Sequence, residues 1–268
     1  MDFERVVTKI KTSKKYRFLC EDTIRHVLQE EMRHHKTLKK ALDPAKKRLH
    51  KIWAAYLGEP DYQQAKKQLI EAFTKQDAEA IKATCQTILE THSSARERMD
   101  LLDNYYQNIF AITGTPQRIV DLACALHPLS FRWMGLPKST LYHATDINQN
   151  FVDLINFYFQ LEDLEPLAEL RDILCNPLEI HVDLAFLFKM YHCLEIRKRG
   201  AGMDVLKSVR ADWVAISFPS KNLVGQKAAI INNYLPDIEA VAKTEKWNIF
   251  DLHFENEDLL IINKHGGN

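Results

Sequence analysis

Residues 119–128 read Ile119-Val120-Asp121-Leu122-Ala123-Cys124-Ala125-Leu126-His127-Pro128. A short apolar run that stops in small residues reads as a buried strand ending at a loop, with a helix starting beyond it. The pattern recurs downstream. Strands are expected at 118–123, 140–145, 167–172, 182–188, 213–218, 247–252 and 259–263, and helical patterns near 126–133, 149–161, 190–199 and 228–242 separate most of them. Strand and helix in regular alternation imply right-handed crossovers and a mostly parallel, doubly wound α/β sheet of the Rossmann-like kind.

Upstream of this segment the chain has a different character. Apolar positions recur at intervals of three and four, as in Ile24, Val27 and Leu28 and again in Leu49, Ile52 and Trp53, with no strand-like alternation. An all-helical N-terminal domain over 1–112 is expected, with the sheet domain over 113–268 beginning at the turn Thr113-Gly114-Thr115-Pro116. Within the helical part, Leu57-Gly58-Glu59-Pro60 ends one helix and starts another. Ser94-Ala95-Arg96-Glu97 has the form of a capping box opening a helix over 95–110.

Charge divides the chain along similar lines. The 268 residues carry formal net charge +0, but residues 1–50 hold 14 Lys and Arg against 7 Asp and Glu, +7, and the other 218 hold 22 against 29, −7. A basic helical end on an acidic body is what a polyanion-binding module would produce; a lysine-rich solvated surface gives the same count. Lys14, Lys15, Arg17, Lys46, Lys47 and Arg48 are the cations concerned. No run of about 18 apolar residues is present to span a bilayer, so no membrane partner is expected. The five cysteines lack a C-x-x-C pair or a histidine set beside them, which argues against a zinc site or a disulfide framework and places the protein in a reducing, cytoplasmic setting; no metal is expected.

In a doubly wound sheet the ligand sits where strands end. The first three expected strands end near Asp121, at Asp146 and at Asp172, spaced 25 and 26 residues apart, about one strand-helix unit each. A carboxylate one unit beyond the first loop can accept hydrogen bonds from both ribose hydroxyls, which suits Asp146, and one on the next strand can accept an adenine amine, which suits Asp172. A helix N-cap is the alternative for either. The loop offers Ala123 and Ala125 where a pyrophosphate-binding G-x-G-x-x-G would have glycines, so a nicotinamide or flavin cofactor is disfavoured. S-adenosylmethionine has no phosphate and tolerates such a loop.

These residues resemble, in order and spacing over some 200 positions, the aminoglycoside-resistance 16S ribosomal RNA methyltransferases that methylate N7 of guanine-1405. The resemblance is carried by Ser13-Lys14-Lys15-Tyr16-Arg17, Asp22-Thr23, Arg25, Arg48-Leu49-His50 and Ala55-Tyr56. It continues in His92-Ser93-Ser94, Glu97-Arg98, Leu102-Asp103, Tyr106, Ile109-Phe110 and Asp121-Leu122-Ala123-Cys124 with Leu126 and Pro128. Asp172, Leu174-Cys175, Phe188-Lys189, Leu194-Glu195 and Ser217-Phe218-Pro219 complete it. Two positions depart from the family's loop, Ala125 for glycine and His127 for asparagine, and a left-handed backbone at Ala125 would cost about 1 kcal/mol.

The resemblance implies a class I methyltransferase sheet, S-adenosylmethionine as cofactor, and cofactor contacts from Tyr56, His92, Ser93, Ser94, Arg98, Ala123, Asp146, Asp172, Ile173, Phe188 and Arg197. Arg98 would pair with the methionine carboxylate. Lys189, Ser217 and Lys221, at strand ends, would touch the target nucleotide, and the basic helices would grip 16S rRNA within the 30S subunit, the enzyme acting as a monomer. N7 of guanine carries a free lone pair, so no general base, and hence no catalytic acid or base residue, is expected. The alternatives are a non-catalytic RNA-binding relative, a methyltransferase for another rRNA nucleotide, and a small-molecule oxidoreductase on a similar sheet.

Overall fold

The computed structural model describes residues 2–53, 58–220 and 230–266. Three helices come first, α1 (Phe3–Lys11), α2 (Glu21–His34) and α3 (Leu38–Trp53), and then α4 (Tyr62–Thr74), α5 (Ala78–Leu89), a single turn α6 (Ser93–Arg96) and α7 (Leu102–Thr113). The rest alternates: β1 (Arg118–Leu122), α8 (Phe131–Met134), β2 (Leu141–Asp146), α9 (Gln149–Leu161), β3 (Ala168–Leu170) and β4 (Val182–Phe188). It ends with α10 (Tyr191–Arg197), α11 (Ala201–Ser208), β5 (Ala211–Pro219), α12 (Leu235–Glu245), β6 (Asn248–His253) and β7 (Glu257–Asn263). All seven expected strands are present among the described residues, most shifted by one or two positions.

The strands form one sheet in the order β3-β2-β1-β4-β5-β7-β6. β7 enters antiparallel between β5 and β6, and the other described pairings are parallel. Sequence order reverses between β1 and β4, so a crevice opens at their carboxyl ends. Alternation along the strands splits the core into two layers. Ile119, Leu184, Phe186, Ala215, Leu259 and Ile261 face α4, α5, α7 and α9. Val120, Leu122, Ala185, Val214, Ile216 and Leu260 face α10 to α12.

Helices α4 to α7 therefore share the sheet's core. The separate packing unit is smaller than the expected 1–112: it comprises α1 to α3, where Val7, Leu19, Ile24, Val27, Leu28 and Leu49 form their own cluster. This unit docks on the loops after β2 and β3. Cys20 N–H donates to the Ile147 carbonyl at 2.8 Å, Gln149 N–H donates to Phe18 at 2.8 Å, and Ile147 packs into the helical cluster.

Local chemistry sets three of the helix starts. Asp61, Asp77 and Asn148 cap α4, α5 and α9, accepting backbone N–H groups of the first turn. Gly58 has φ +109°, and a Cβ there would collide with the Thr91 carbonyl, so glycine is required. The capping box expected at Ser94 does not form. His92 is the N-cap of α6, Ser94 Oγ bonds His92 Nδ1 at 2.9 Å, and the helix breaks after one turn because Glu97 and Arg98 are drawn into ion pairs with Lys189 and Glu257.

Leu28 is fully buried in the α1–α3 cluster. Leu28→Ala is expected to destabilise that unit by about 2–5 kcal/mol. Hydrogen exchange checks it: protection should fall in residues 3–53 and hold in the amides of β1, β4 and β5, whereas uniform loss would show that the helices have no separate cooperativity.

Candidate cofactor site

The loop after β1 is tied down from below and beside. Asp121 accepts from Tyr142 Oη at 3.0 Å and from His127 Nδ1 at 2.5 Å, and the other ring nitrogen of His127 meets Tyr106 Oη at 2.8 Å. The histidine that departs from the family loop thus fills a buried polar slot between strand and helix. Ala123 and Ala125 have φ of 55° and 46°, in the left-handed region. Cys124 N–H donates to the Thr145 carbonyl at 2.8 Å, and Ala125 N–H donates to Asp146 at 2.9 Å.

Asp146, at the end of β2, also accepts Asn148 N–H at 2.8 Å. Burial raises its carboxyl to about 6, against the lowering effect of the Ala125 and Asn148 amides. One unit on, Asp172 is held differently. Arg197 forks onto both of its oxygens, Thr23 Oγ1 of α2 donates at 2.6 Å, and Leu174 N–H donates at 3.1 Å. Burial works to raise its pKa, but the Arg197 charge and these donors hold it below the usual value.

A second charged cluster closes the opposite wall. Arg98, 4% exposed, donates to both oxygens of Glu257, at 3.0 and 2.5 Å, and its guanidinium lies 4.8 Å from the Tyr105 ring and 4.5 Å from the Phe188 ring. Lys189, with φ of 56°, pairs with Glu97 at 2.6 Å and lies 3.9 Å from Glu257. Glu257 is fully buried. Desolvation would raise its carboxyl, and Arg98 and then Lys189 outweigh that and hold it down at about 2. His92, buried against the Phe151 ring, is pushed down to about 4 by burial and by the Lys189 charge.

These groups surround one cavity of about 950 Å³ at the carboxyl ends of β1, β2 and β4. Of the eleven residues the sequence singled out for a cofactor, the structure brings ten to its wall: His92, Ser93, Ser94, Arg98, Ala123, Asp146, Asp172, Ile173, Phe188 and Arg197. Tyr56 lies outside the described residues. From the polyanion set, Lys47, Arg48 and Lys189 line the same cavity. Lys14, Lys15, Arg17 and Lys46 are exposed elsewhere on the helical unit. Arg48 donates to the Arg197 carbonyl and pairs with Glu31 at 3.3 Å.

Ser217 stands apart from its expectation. It is fully buried, off the cavity wall, and its Oγ accepts Lys189 N–H at 3.0 Å, so it shapes the turn that aims Lys189. Lys221 lies outside the described residues. Sequence reasoning missed Glu257, which sits among acids in the hairpin stretch Glu255-Asn256-Glu257-Asp258 and has nothing in its spacing to mark it as the buried one.

The arrangement suits a nucleoside ligand. A buried carboxylate stands one unit past the loop, the side chains of Ile147, Phe151, Ile173 and Phe188 supply apolar walls, and Arg197 lines the cavity beside Asp172. The Asp146 carboxyl is a buried acceptor that a ligand's hydroxyls would satisfy.

Comparisons with known proteins agree with this geometry. The chain is 32% identical over 267 residues to a 16S rRNA (guanine(1405)-N(7))-methyltransferase of Serratia marcescens, covering 100% of both chains. It is 30% identical over 264 residues to the enzyme of that name from Micromonospora echinospora, covering 97% of this chain and 95% of that one. Among solved structures, the 16S rRNA methylase RmtB superposes with a TM-score of 0.79 at 30% identity, over 98% of this chain and 99% of that one. RmtF, solved with S-adenosyl-L-homocysteine, shares the fold with a TM-score of 0.81 at 24% identity, over 98% and 99%. The model of the ribosomal RNA methyltransferase (FmrO) family matches residues 12–262, and the chain belongs to that family.

Proposed function

We infer that this chain is an S-adenosylmethionine-dependent 16S rRNA (guanine(1405)-N(7))-methyltransferase that confers aminoglycoside resistance. The observation that carries the reading is the cavity at the strand ends, with Asp146 on one wall, the Arg98–Glu257–Lys189 cluster on another, and cations of the helical unit at its margin. Full-length similarity to enzymes of that name supports it. S-adenosylmethionine supplies an electrophilic methyl group for in-line transfer to the N7 lone pair.

Asp146 holds the ribose diol, and Ile173 and Phe188 bound the adenine. Arg98, which Glu257 keeps in place, faces the methionine carboxylate. Its bidentate tie to Glu257 engages Nε and one Nη, two of the five N–H donors of the guanidinium. Asp172 is similarly committed to Arg197 and Thr23, so its part is to fix the adenine wall and the helical unit together. No side chain has to take a proton from N7. The protein's work is to bind, orient and exclude water around the reacting atoms.

Lys47, Arg48, Lys14, Lys15, Arg17 and Lys46 are assigned to phosphates of the folded rRNA, and Lys189 to the target nucleotide. The substrate is the 30S subunit, the enzyme acts as a monomer, and its place is the cytoplasm. Among the described residues no helix is long and apolar enough to cross a membrane.

Three outcomes are expected. Incubation of 30S subunits with protein and S-adenosylmethionine, followed by cleavage at N7-methylguanine and primer extension, should give a stop at nucleotide 1405; a stop elsewhere would reassign the target, and none would remove the activity. Cofactor affinity, measured by calorimetry, should rise as the pH passes upward through about 6, because the ionised Asp146 is the better acceptor. The same raised pKa means that any stability from a protonated Asp146 is complete below 3.8 and lost as the pH climbs through about 6. Asp146→Asn should abolish the pH dependence of binding and weaken it by about ten- to a hundredfold, the worth of a hydrogen bond to a charged group. Finally, Ala125→Gly should raise stability by up to about 1 kcal/mol with equal or tighter cofactor binding, read by thermal melts and calorimetry; a large loss of affinity would show that the methyl group is needed.

A further inference from the structure

At the amino ends of β4 and β5, the opposite end of the strands from the cavity, three potential metal ligands converge. His181 precedes β4, Asp212 lies in β5 and His265 follows β7. The sheet's register aligns them: Val182 pairs with Ala211, Trp213 pairs with Asn263, and Lys264 N–H donates to the Asp212 carbonyl at 2.8 Å. One ligand atom from each lies within 4.8 Å of the others. His181 Nε2 is 3.0 Å from Asp212 Oδ1, and His265 Nε2 reaches the same oxygen.

We propose that His181, Asp212 and His265 bind one divalent transition-metal ion of the zinc class, with water completing the coordination. Bond lengths of about 2.0–2.1 Å in a tetrahedron put ligand atoms roughly 3.3 Å apart; His181 Nε2 and Asp212 Oδ1 stand 3.0 Å apart, and the exposed His265 side chain has room to draw back from its closer contact and admit an ion. Two imidazoles and a carboxylate form a donor set suited to zinc, nickel or cobalt, and less to calcium or magnesium, which take oxygen. The side chains of His181 and His265 are 52% and 65% exposed, so an ion can enter and a water can stay bound.

An exposed imidazole–carboxylate pair stabilises a fold little, and here two imidazoles converge on one carboxylate oxygen. The positions are also preset. His265 N–H donates to Asn263 Oδ1 at 2.9 Å, and Lys264 Nζ donates to the Leu206, Lys207 and Val209 carbonyls at the end of α11, fixing the turn that carries the ligand. The ion would join the last turn of the described chain to the starts of β4 and β5, far from the methyl-transfer cavity.

The test uses the full chain without a polyhistidine tag, stripped with chelator and titrated with Zn²⁺ by calorimetry, alongside Co²⁺ titration read by visible absorption. One Zn²⁺ per chain, a tetrahedral Co²⁺ spectrum and a zinc-dependent rise in melting temperature are expected. His265→Gln and Asp212→Asn should each weaken Zn²⁺ binding by at least about tenfold and remove the spectrum. Because His181 and His265 are exposed, the His181→Gln, His265→Gln double variant should melt like the metal-free parent, which separates lost binding from lost folding. Equal Zn²⁺ affinity and stoichiometry in parent and double variant would overturn the proposal.

Discussion

The site depends on how residues 18–23 seat on the loops that follow β2 and β3. Two backbone hydrogen bonds, from Cys20 to Ile147 and from Gln149 to Phe18, fix the helical unit to those loops, and Thr23 reaches in to Asp172. Without that seat, Asp172 would keep only Arg197 and the Leu174 amide among its donors, and Ile147 would lose its apolar partners in the helical cluster. With it, a cation-bearing surface stands beside a cavity built by the sheet. The basic unit and the nucleoside site are two sides of one opening, which is why Arg48 of α3 touches the backbone of Arg197 in α10.

Much of this was legible in the sequence, and particular residues show why. Apolar runs marked the strands, most plainly the interior β1, β4, β5 and β7, because a strand buried on both faces leaves a compositional mark that neighbours cannot hide. Asp146 was legible through its distance from Asp121. The helix boundaries around Ser94 were not, since a capping box is a local signal and here long-range ion pairs to Lys189 and Glu257 won. Helices α4 to α7 have the periodicity of surface helices, and only their partners, such as Leu69 and Tyr106 within the sheet's core, reveal that they cover the sheet. Glu257, and the trio at 181, 212 and 265, are brought together by strand register alone, so no sequence spacing could announce them.

The zero net charge conceals two kinds of electrostatics. On the helical unit the cations are mostly exposed, and salt would screen them strongly. On the cavity wall Arg98, Lys189 and Arg197 are buried with acids beside them. Such pairs add little net stability because desolvation offsets their attraction, but removing one partner leaves a buried charge exposed to apolar surroundings, which is strongly destabilising. The wall is thus rigid in its charge pattern. The cations of the helical surface are free to move in solvent, while the chamber behind it keeps a fixed arrangement of donors and acceptors.

The left-handed alanines of the loop after β1 have a consequence for how this chain can change. An alanine codon becomes a glycine codon by one change at its second base, so Ala123 and Ala125 each stand a single mutational step from a residue that adopts their backbone freely. Anchored by the Thr145 carbonyl and the Asp146 carboxylate, the loop would keep its course after either step. The strain is therefore an unused reserve: relieving it would let the lineage absorb a destabilising substitution elsewhere, on the helical surface for instance, and explore new contacts without losing the fold.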